Sequence, residues 1–327
     1  MAKVSRVGLL GGGVIGGGWA ARFLINGIDV QLFDPDPQAE RKLNEIMVNA
    51  RQAWRELVDV DLPAEGTATI VKTVAEAVAG VDFIQESAPE RLELKQALLA
   101  EADAAAAPDV VIGSSTSGLL PTQIAANMTN PERFVVGHPF NPVYLLPLVE
   151  VCGGEKTALW AADRATEIYE SIGMRPLRVR KEIDGFVADR LMEALWREAL
   201  WLVNDGIATV EEVDDAIRYG AGLRWSFMGT YQTYRIAGGE GGMRHFMAQF
   251  GPSLAWPWTH LMDVPELTDE LLDRISDQSD EQVGDIGTRD LERWRDRSLI
   301  AVMRALRDVP TGAGEVLAQH EERLRNA

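Results

Sequence analysis

The stretch from Val7 to Gly18, near the N-terminus, constrains this chain more than any other. It reads Val-Gly-Leu-Leu-Gly-Gly-Gly-Val-Ile-Gly-Gly-Gly, and Asp34 closes the next apolar run. The run before Gly11 has the character of a buried strand, and Val14 to Asn26 carries apolar residues at helical spacing. Gly11-x-Gly13-x-x-Gly16 therefore falls between a strand and a helix, the context in which this spacing marks a dinucleotide site. Gly11 permits the tight turn, Gly13 lets backbone approach a pyrophosphate, and Gly16 lets helix and strand pack closely. Val14 and Ile15 open the helix, whose first N–H groups and partial positive charge suit phosphates. Asn26-Gly27 reads as a helix stop, and Asp29 to Phe33 as a second strand that delivers Asp34 to the cofactor edge. A carboxylate there accepts hydrogen bonds from ribose hydroxyls and repels a 2′-phosphate. Pro35, Asp36 and Pro37 follow, with no Arg to reverse that preference. NAD is favoured over NADP, while FAD stays open on the fingerprint alone.

A chain of 327 residues, 46% hydrophobic and 25% charged, accommodates two globular domains. Its net charge of −18 argues against nucleic acid or an anionic membrane as the main partner. The single Cys152 excludes an intrachain disulfide and lies in an apolar run, so it reads as a buried, inert thiol. Met1-Ala2-Lys3-Val4 leads directly into the first strand with no signal-peptide pattern, and no apolar run approaches about 18 residues. A soluble protein of the reduced cytoplasm is expected.

Helical periodicity covers about Pro37 to Val58, with Leu43, Ile46, Met47, Ala50, Trp54 and Leu57 on one face. Strand signals at Thr67–Lys72, Val81–Glu86, Asp109–Ser114, Phe134–Gly137, Leu148–Val151 and Arg175–Val179 then alternate with helical ones. The helical signals lie at Val74–Ala79, Pro89–Ala106, Pro121–Met128 and Thr157–Ile172. This alternation predicts an α/β domain, a Rossmann-type doubly wound and mostly parallel sheet over residues 1–181, with its ligand at the carboxyl edge. Residues 182–327 show no useful period-two segment and read as an all-α C-terminal domain. Leu191, Leu195, Ala199 and Leu202 form a stripe on a helix from about Phe186 to Val203, serving as core or subunit interface. Thr209 and Glu212 form a capping box. The acidic run between Leu261 and Glu281 reads as a solvated helix face rather than a metal site, since no His or Cys accompanies it. The tail after Pro310 is expected to fray.

The second informative stretch is Gly137-His138-Pro139-Phe140-Asn141-Pro142, followed by Leu148-Val149-Glu150-Val151. It follows a strand of the same sheet. Oxidation of an alcohol needs a base for the hydroxyl proton, and His serves near neutral pH. Glu150 on the next strand can hold the second ring nitrogen and fix its tautomer. A lone His is as often structural, and it is the nearby cofactor signature that favours the catalytic reading. Ser114 to Gly118 ends another strand at this edge; a hydroxyl there binds a substrate oxygen or caps the next helix. No second Cys, Gly-x-Ser-x-Gly elbow or P-loop Lys-Ser/Thr offers a competing chemistry.

Gly11 to Gly16, Asp34, Glu90 to Lys95, Ser115 to Leu119, His138 to Pro142 and Asp184-Gly185-Phe186 together resemble the 3-hydroxyacyl-CoA dehydrogenase family, to about Tyr219. The resemblance implies Ser117 as the substrate-oxygen donor, His138 as base and Glu150 as its partner. It also implies Asn141 near the nicotinamide and Glu90 and Lys95 on the cofactor side. One position departs: where the family carries an Asn shortly after Gly-Phe, this chain has Asp189. As a surface acid it would pair with Arg190. Facing the site, it would suit a cationic substrate, since unit charges about 4 to 6 Å apart attract by roughly 3 to 4 kcal/mol before desolvation at an effective dielectric of ~20.

Arg224-Trp225, Tyr231, Tyr234, Trp256 and Trp258 add aromatic faces in a chain with nine Trp. Rings of this kind, with Phe140 and Tyr144, form either core or a cation–π cage for a quaternary ammonium, and Arg224 can pair with a substrate carboxylate. The wording around Gly11, His138 and Glu193-Ala194-Leu195-Trp196 is similar to the branch of the family that oxidises the 3-hydroxyl of L-carnitine. That likeness, reaching to about Pro265, implies NAD as acceptor and a homodimer built through the helical domain. Alternatives are oxidation of L-gulonate or of a short 3-hydroxyacyl-CoA, or a non-catalytic NAD-binding structural protein.

Overall fold

The computed structural model describes residues 4–238, 240, 242–251, 259, 266, 268–271, 273–274, 277–278, 284–285, 287–309 and 312–326. The chain divides into two compact units. The first holds Met1–Asp189 with Arg295–Asp308 and Gly314–Ala327, and the second Arg190–Trp294 with Val309–Ala313.

The first unit is built on one eight-stranded sheet in the order β3-β2-β1-β4-β5-β6-β7-β8. The strands are β1 (Arg6–Leu10), β2 (Asp29–Phe33), β3 (Ala68–Val71), β4 (Phe83–Glu86), β5 (Val111–Ser114), β6 (Phe134–Pro139), β7 (Leu148–Cys152) and β8 (Arg175–Val179). Helices α1 (Val14–Ile25), α2 (Ala39–Leu57), α3 (Val74–Val78), α4 (Leu92–Ala105), α5 (Pro121–Ile124) and α6 (Leu159–Ser171) form the connections. Covered on both faces, β4, β5 and β6 are buried throughout their length, as parallel strands under helices must be. The strand order reverses beside β1, where the crevice of a doubly wound sheet opens.

All strand pairs are parallel except β6 with β7, which run antiparallel with His138 opposite Glu150. A parallel return needs a crossover of a dozen or more residues, and the connection 140–147 is shorter than that. The helix expected over Pro121–Met128 tightens after Ile124 into a 3₁₀ turn over Ala125–Asn127, a common helix ending. Cys152 is buried, and burial pushes its thiol up to about 12, which keeps it protonated and inert.

By packing, the first unit runs a few residues past the expected division at 181 and 182, to Asp189, and the chain returns to it from Arg295. The tail does not fray. Helix α13 (Gly312–Arg325) buries Val316, Leu317, His320 and Glu321. The return is held by charge and by packing. Arg304 donates to the carbonyls of Glu56 and Leu57 and pairs with Asp59 at 2.8 Å. Arg307 also pairs with Asp59, whose N–H donates to Glu321. His320 sets its ring edge against Trp54, with centroids 5.4 Å apart.

The second unit is helical, and among the described residues no strand follows β8. It holds most of α7 (Ala188–Asn204), then α8 (Val210–Ala216), a π turn at Ile217–Ala221, α9 (Gly222–Trp225), α10 (Thr230–Ala237) and α11 (Gly242–Phe250). α12 (Thr288–Ala305) runs from the second unit into the first. Thr209 and Glu212 form the expected capping box at α8. The expected stripe of α7 is not its buried face: Leu191 and Leu195 are exposed beside Met192 and Trp196, Ala199 and Leu202 are half-buried, and the core is reached by Leu200 and Val203. Trp256 and Trp258 lie outside the described residues, as does most of the acidic run from Leu261 to Glu281. Among the described residues no helix is long and apolar enough to cross a membrane, and no group of three His, Cys, Asp or Glu side chains could hold a metal.

His320 yields a pH prediction. Burial, with Arg22 and Arg323 nearby, lowers its pKa to about 3, and neither ring nitrogen has a hydrogen-bond partner. Its ordinary value in an unfolded chain is about 6.5. The neutral ring's share of stability is therefore complete above pH ~6.5 and is lost as pH falls toward the folded value. His320→Leu should gain on the parent by up to about 1.4 kcal/mol per pH unit below 6. Urea unfolding at pH 7.5 and 5 measures this, and a pH-independent difference between the two proteins would refute it.

Candidate active site

Gly11 sits at φ +101°, a conformation that favours glycine, and a Cβ there would meet the Ser87 carbonyl at 2.7 Å. A Cβ on Gly16 would lie 1.9 Å from the Gly11 carbonyl oxygen, so strand and helix can approach only with glycine there. At Gly13 a Cβ would meet nothing within 4 Å: the backbone is open to a ligand. No side chain caps α1, whose exposed first residue Val14 is followed by the half-buried Ile15. Asp34, half-buried at the end of β2, accepts from the Gly12 N–H at 2.5 Å and the Asp36 N–H at 2.7 Å. A carboxylate has about four lone-pair positions, so these two bonds leave acceptor capacity for ribose hydroxyls. The cradle fits the dinucleotide that the sequence predicts.

Behind it lies a buried charge network that the sequence reading missed. Glu86, fully buried at the end of β4, accepts from Lys95 Nζ at 2.8 Å, Ser114 Oγ at 2.5 Å and the Ala88 N–H at 2.5 Å. Lys95, expected on the cofactor side, is buried as well and also donates to the Ala88 carbonyl, so its ammonium is bound within the framework. It reaches Glu90 at 3.3 Å. The Glu90 carboxylate in turn accepts from Thr116 Oγ1 and from the N–H groups of Ser117 (3.1 Å) and Gly118 (3.2 Å). Burial opposes its charge, yet these bonds and Lys95 hold it below the usual carboxylate range. The sequence signal for this network was a carboxylate ending an apolar strand, Phe83-Ile84-Gln85-Glu86.

The hydroxyls after β5 separate by role. Ser114 serves Glu86, Ser115 receives Trp19 Nε1 at 3.0 Å and Gln85 Nε2 at 2.8 Å, and Thr116 serves Glu90. Ser117 is exposed at the tip. β5 and β6 are parallel neighbours, so the Ser117 loop and His138 leave the sheet at the same edge.

His138 is nearly buried, and its Nδ1 lies 3.1 Å from Glu150 Oε2. The other carboxylate oxygen of Glu150 accepts the N–H groups of Val187 and Ala188, each at 2.9 Å. Burial works against the Glu150 charge, but the imidazole and the two amides hold its pKa below the usual range. Those amides reach it because Gly185 (φ +68°) and Phe186 (φ +48°) both adopt left-handed backbone. For Phe186 this is strain, sustained by a ring buried 5.9 Å from that of His138. Phe140 sets its ring edge against His138 with centroids 4.8 Å apart. On the opposite nitrogen, Nε2, stands Asp189 Oδ2 at 3.7 Å.

The loop carrying these groups is fastened from below. Arg22, buried in α1, donates to the carbonyls of Val143, Leu146, Ile172 and Gly173. Burial lowers its pKa to about 9. Trp54 Nε1 donates to the Tyr144 carbonyl at 2.6 Å. Tyr144, expected against substrate, is buried and donates its hydroxyl to Asp296 at 2.6 Å. Asn141 is exposed at the loop's outer end and precedes a cis Pro142. Arg224, Trp225 and Tyr231 lie in the second unit, exposed on α9 and α10.

Residues 6–183 match the model of the 3-hydroxyacyl-CoA dehydrogenase NAD-binding domain, and residues 185–269 that of its C-terminal domain. The chain belongs to the 3-hydroxyacyl-CoA dehydrogenase family. As a member, it is an NAD-dependent dehydrogenase acting on a CH–OH group. An L-carnitine dehydrogenase of Mesorhizobium japonicum is 60% identical over 96% of this chain and 86% of its own length. An L-carnitine dehydrogenase/betainyl-CoA thioesterase of Agrobacterium fabrum is 55% identical over 98% of this chain, which spans 65% of that relative. Among solved structures, 5-formyl-3-hydroxy-2-methylpyridine 4-carboxylic acid 5-dehydrogenase, an NAD-dependent dismutase, superposes with a TM-score of 0.79 at 26% identity. It covers 94% of this chain and 99% of its own.

The ribose role of Asp34 is testable by replacement. Asp34→Ser should weaken NADH binding about tenfold or more, the worth of one or two charge-assisted hydrogen bonds, without a matching loss for NADPH. Titration of nicotinamide fluorescence reads both, and an unaltered NADH affinity would remove Asp34 from the site.

Proposed function

We propose that this dehydrogenase oxidises the 3-hydroxyl of L-carnitine to 3-dehydrocarnitine, with His138 as general base. The observation that carries the mechanism is the His138–Glu150 pair at 3.1 Å, with Nε2 directed away from the carboxylate that holds Nδ1. The substrate assignment is supported by the carnitine-oxidising relatives at 55–60% identity.

Glu150 accepts the Nδ1 proton of the neutral imidazole and leaves the Nε2 lone pair for the substrate hydroxyl. As the alcohol proton moves to Nε2, the carboxylate offsets the charge of the imidazolium. Ser117, on the loop fixed by Glu90, donates to the substrate oxygen. Bound NAD supplies the hydride acceptor in the cleft held by Gly11, Gly13, Gly16 and Asp34, with Asn141 toward the nicotinamide. The exposed Leu191, Met192, Leu195 and Trp196 of α7 form an apolar surface on the second unit suited to a second copy of the chain, and the working form is a cytoplasmic homodimer.

His138→Gln should lower kcat by about 10²- to 10⁴-fold, the usual range for a lost acid–base group, while NADH affinity stays within about twofold. Initial rates with L-carnitine, L-gulonate, 3-hydroxybutyrate and 3-hydroxybutyryl-CoA test the substrate. Turnover of any of the last three without turnover of carnitine would sink the assignment, and undiminished turnover in the variant would sink the mechanism.

A further inference from the structure

The imidazole of His138 has carboxylates at both nitrogens, and only one of them is explained by the base's own requirements. Glu150 holds Nδ1 and is engaged on its other oxygen by the amides of Val187 and Ala188. Asp189 stands on the substrate side, 3.7 Å from Nε2, its side chain only 21% exposed. A negative charge there is unfavourable for a neutral or anionic alcohol, because the oxygen that loses its proton to Nε2 gains negative charge beside it. A substrate with a fixed positive charge next to the carbinol reverses the sign of that effect. In carnitine the quaternary nitrogen is bonded to the carbon adjoining the carbinol, so a hydroxyl seated on Nε2 brings the cation within about 4 to 6 Å of a carboxylate so close to that nitrogen.

We propose that Asp189 is the group that selects a quaternary ammonium beside the reacting hydroxyl, with the Phe140 ring as its apolar companion. A trimethylammonium has no N–H to donate, so it is recognised by charge and by contact with aromatic faces rather than by hydrogen bonds. Phe140, half-buried with its ring 4.8 Å from that of His138, stands next to the same nitrogen-bearing ring and can supply such a face. The position of Asp189 in the first turn of α7 follows from the same Gly185-Phe186 turn that delivers the Val187 and Ala188 amides to Glu150, so base and selector are set by one piece of backbone.

This inference rests on carnitine being the substrate, and the experiment separates the two. The comparison is kcat/KM for L-carnitine against its isostere 3-hydroxy-5,5-dimethylhexanoate of matching configuration, in which a neutral tert-butyl group replaces the trimethylammonium and the carboxylate is kept, in the parent enzyme, Asp189→Asn and Asp189→Glu. The parent should prefer carnitine by about 10- to 100-fold, Asp189→Asn should lose most of that preference by falling on carnitine and rising on the isostere, and Asp189→Glu should retain it. Equal losses on both substrates, with a shifted pH–rate profile, would show that Asp189 acts through His138 and would overturn the proposal, as would a preference that survives in Asp189→Asn. A parent enzyme that ignores carnitine would overturn the substrate assignment and this inference together.

Discussion

Glu150 is a carboxylate with no exposure to water, and a charge so placed persists only where donors replace its hydration. Three are present: the His138 ring nitrogen and the N–H groups of Val187 and Ala188. They tie Glu150 to two other stretches of chain, so satisfying one charge sets the relation of β6, β7 and the start of α7. The antiparallel register places His138 and Glu150 opposite one another, on the same sheet face. The left-handed Gly185 and Phe186 then turn the chain back onto the carboxylate. The strain at Phe186 is of order 1–3 kcal/mol, small beside the cost of a buried carboxylate left without donors.

The proposed role of His138 requires a stiff hairpin between β6 and β7, since Nδ1 must then stay on Glu150 while Nε2 exchanges a proton. Four carbonyls around it take up the Arg22 guanidinium, and burial makes each of those bonds costly to break without a replacement. Trp54 binds the same hairpin from α2 and packs on His320 of α13. Tyr144 joins it to α12 through Asp296. The return of the chain's last segment to the first unit thus has a mechanical consequence, because two of its side chains bear on Tyr144 and Trp54, which hold the hairpin that follows His138.

What could be read from the sequence was whatever depends on local pattern. The glycine spacing, the strand ending in Asp34, the capping box at Thr209 and the pairing of His138 with Glu150 all lie within short stretches whose periodicity or spacing carries the physics. Hidden were the contacts between distant segments. Tyr144 reads as an aromatic near a His-Pro-Phe motif, and nothing local reveals that Asp296 waits for its hydroxyl. The family resemblance puts Lys95 on the cofactor side, and nothing local reveals that β4 brings Glu86 to its ammonium. The C-terminal helix reads as a polar tail because its burial is decided by Trp54 and Asp59, some 260 residues earlier for Asp59 and Glu321. Of the four neighbouring hydroxyls from Ser114 to Ser117, the family resemblance singles out Ser117, and the geometry gives a reason: the other three are consumed by Glu86, Gln85 with Trp19, and Glu90.

Two buried charge pairs support this edge of the sheet, and they differ in what proton transfer does to them. Glu86 and Lys95 are opposite charges whose sum does not change during turnover, and through Glu90 they keep the Ser117 loop in place. In the proposed reaction, His138 and Glu150 gain one positive charge between them when the alcohol proton arrives at Nε2. In a low-dielectric interior that change is strongly felt, and it favours proton uptake only if the carboxylate is already ionised and already in position. The amides of Val187 and Ala188 meet both conditions, since they bind Glu150 whether or not the ring is charged. On the proposed mechanism the carboxylate need neither move nor change its charge when the ring takes a proton, and the reorganisation that a solvated pair would undergo has been completed in folding.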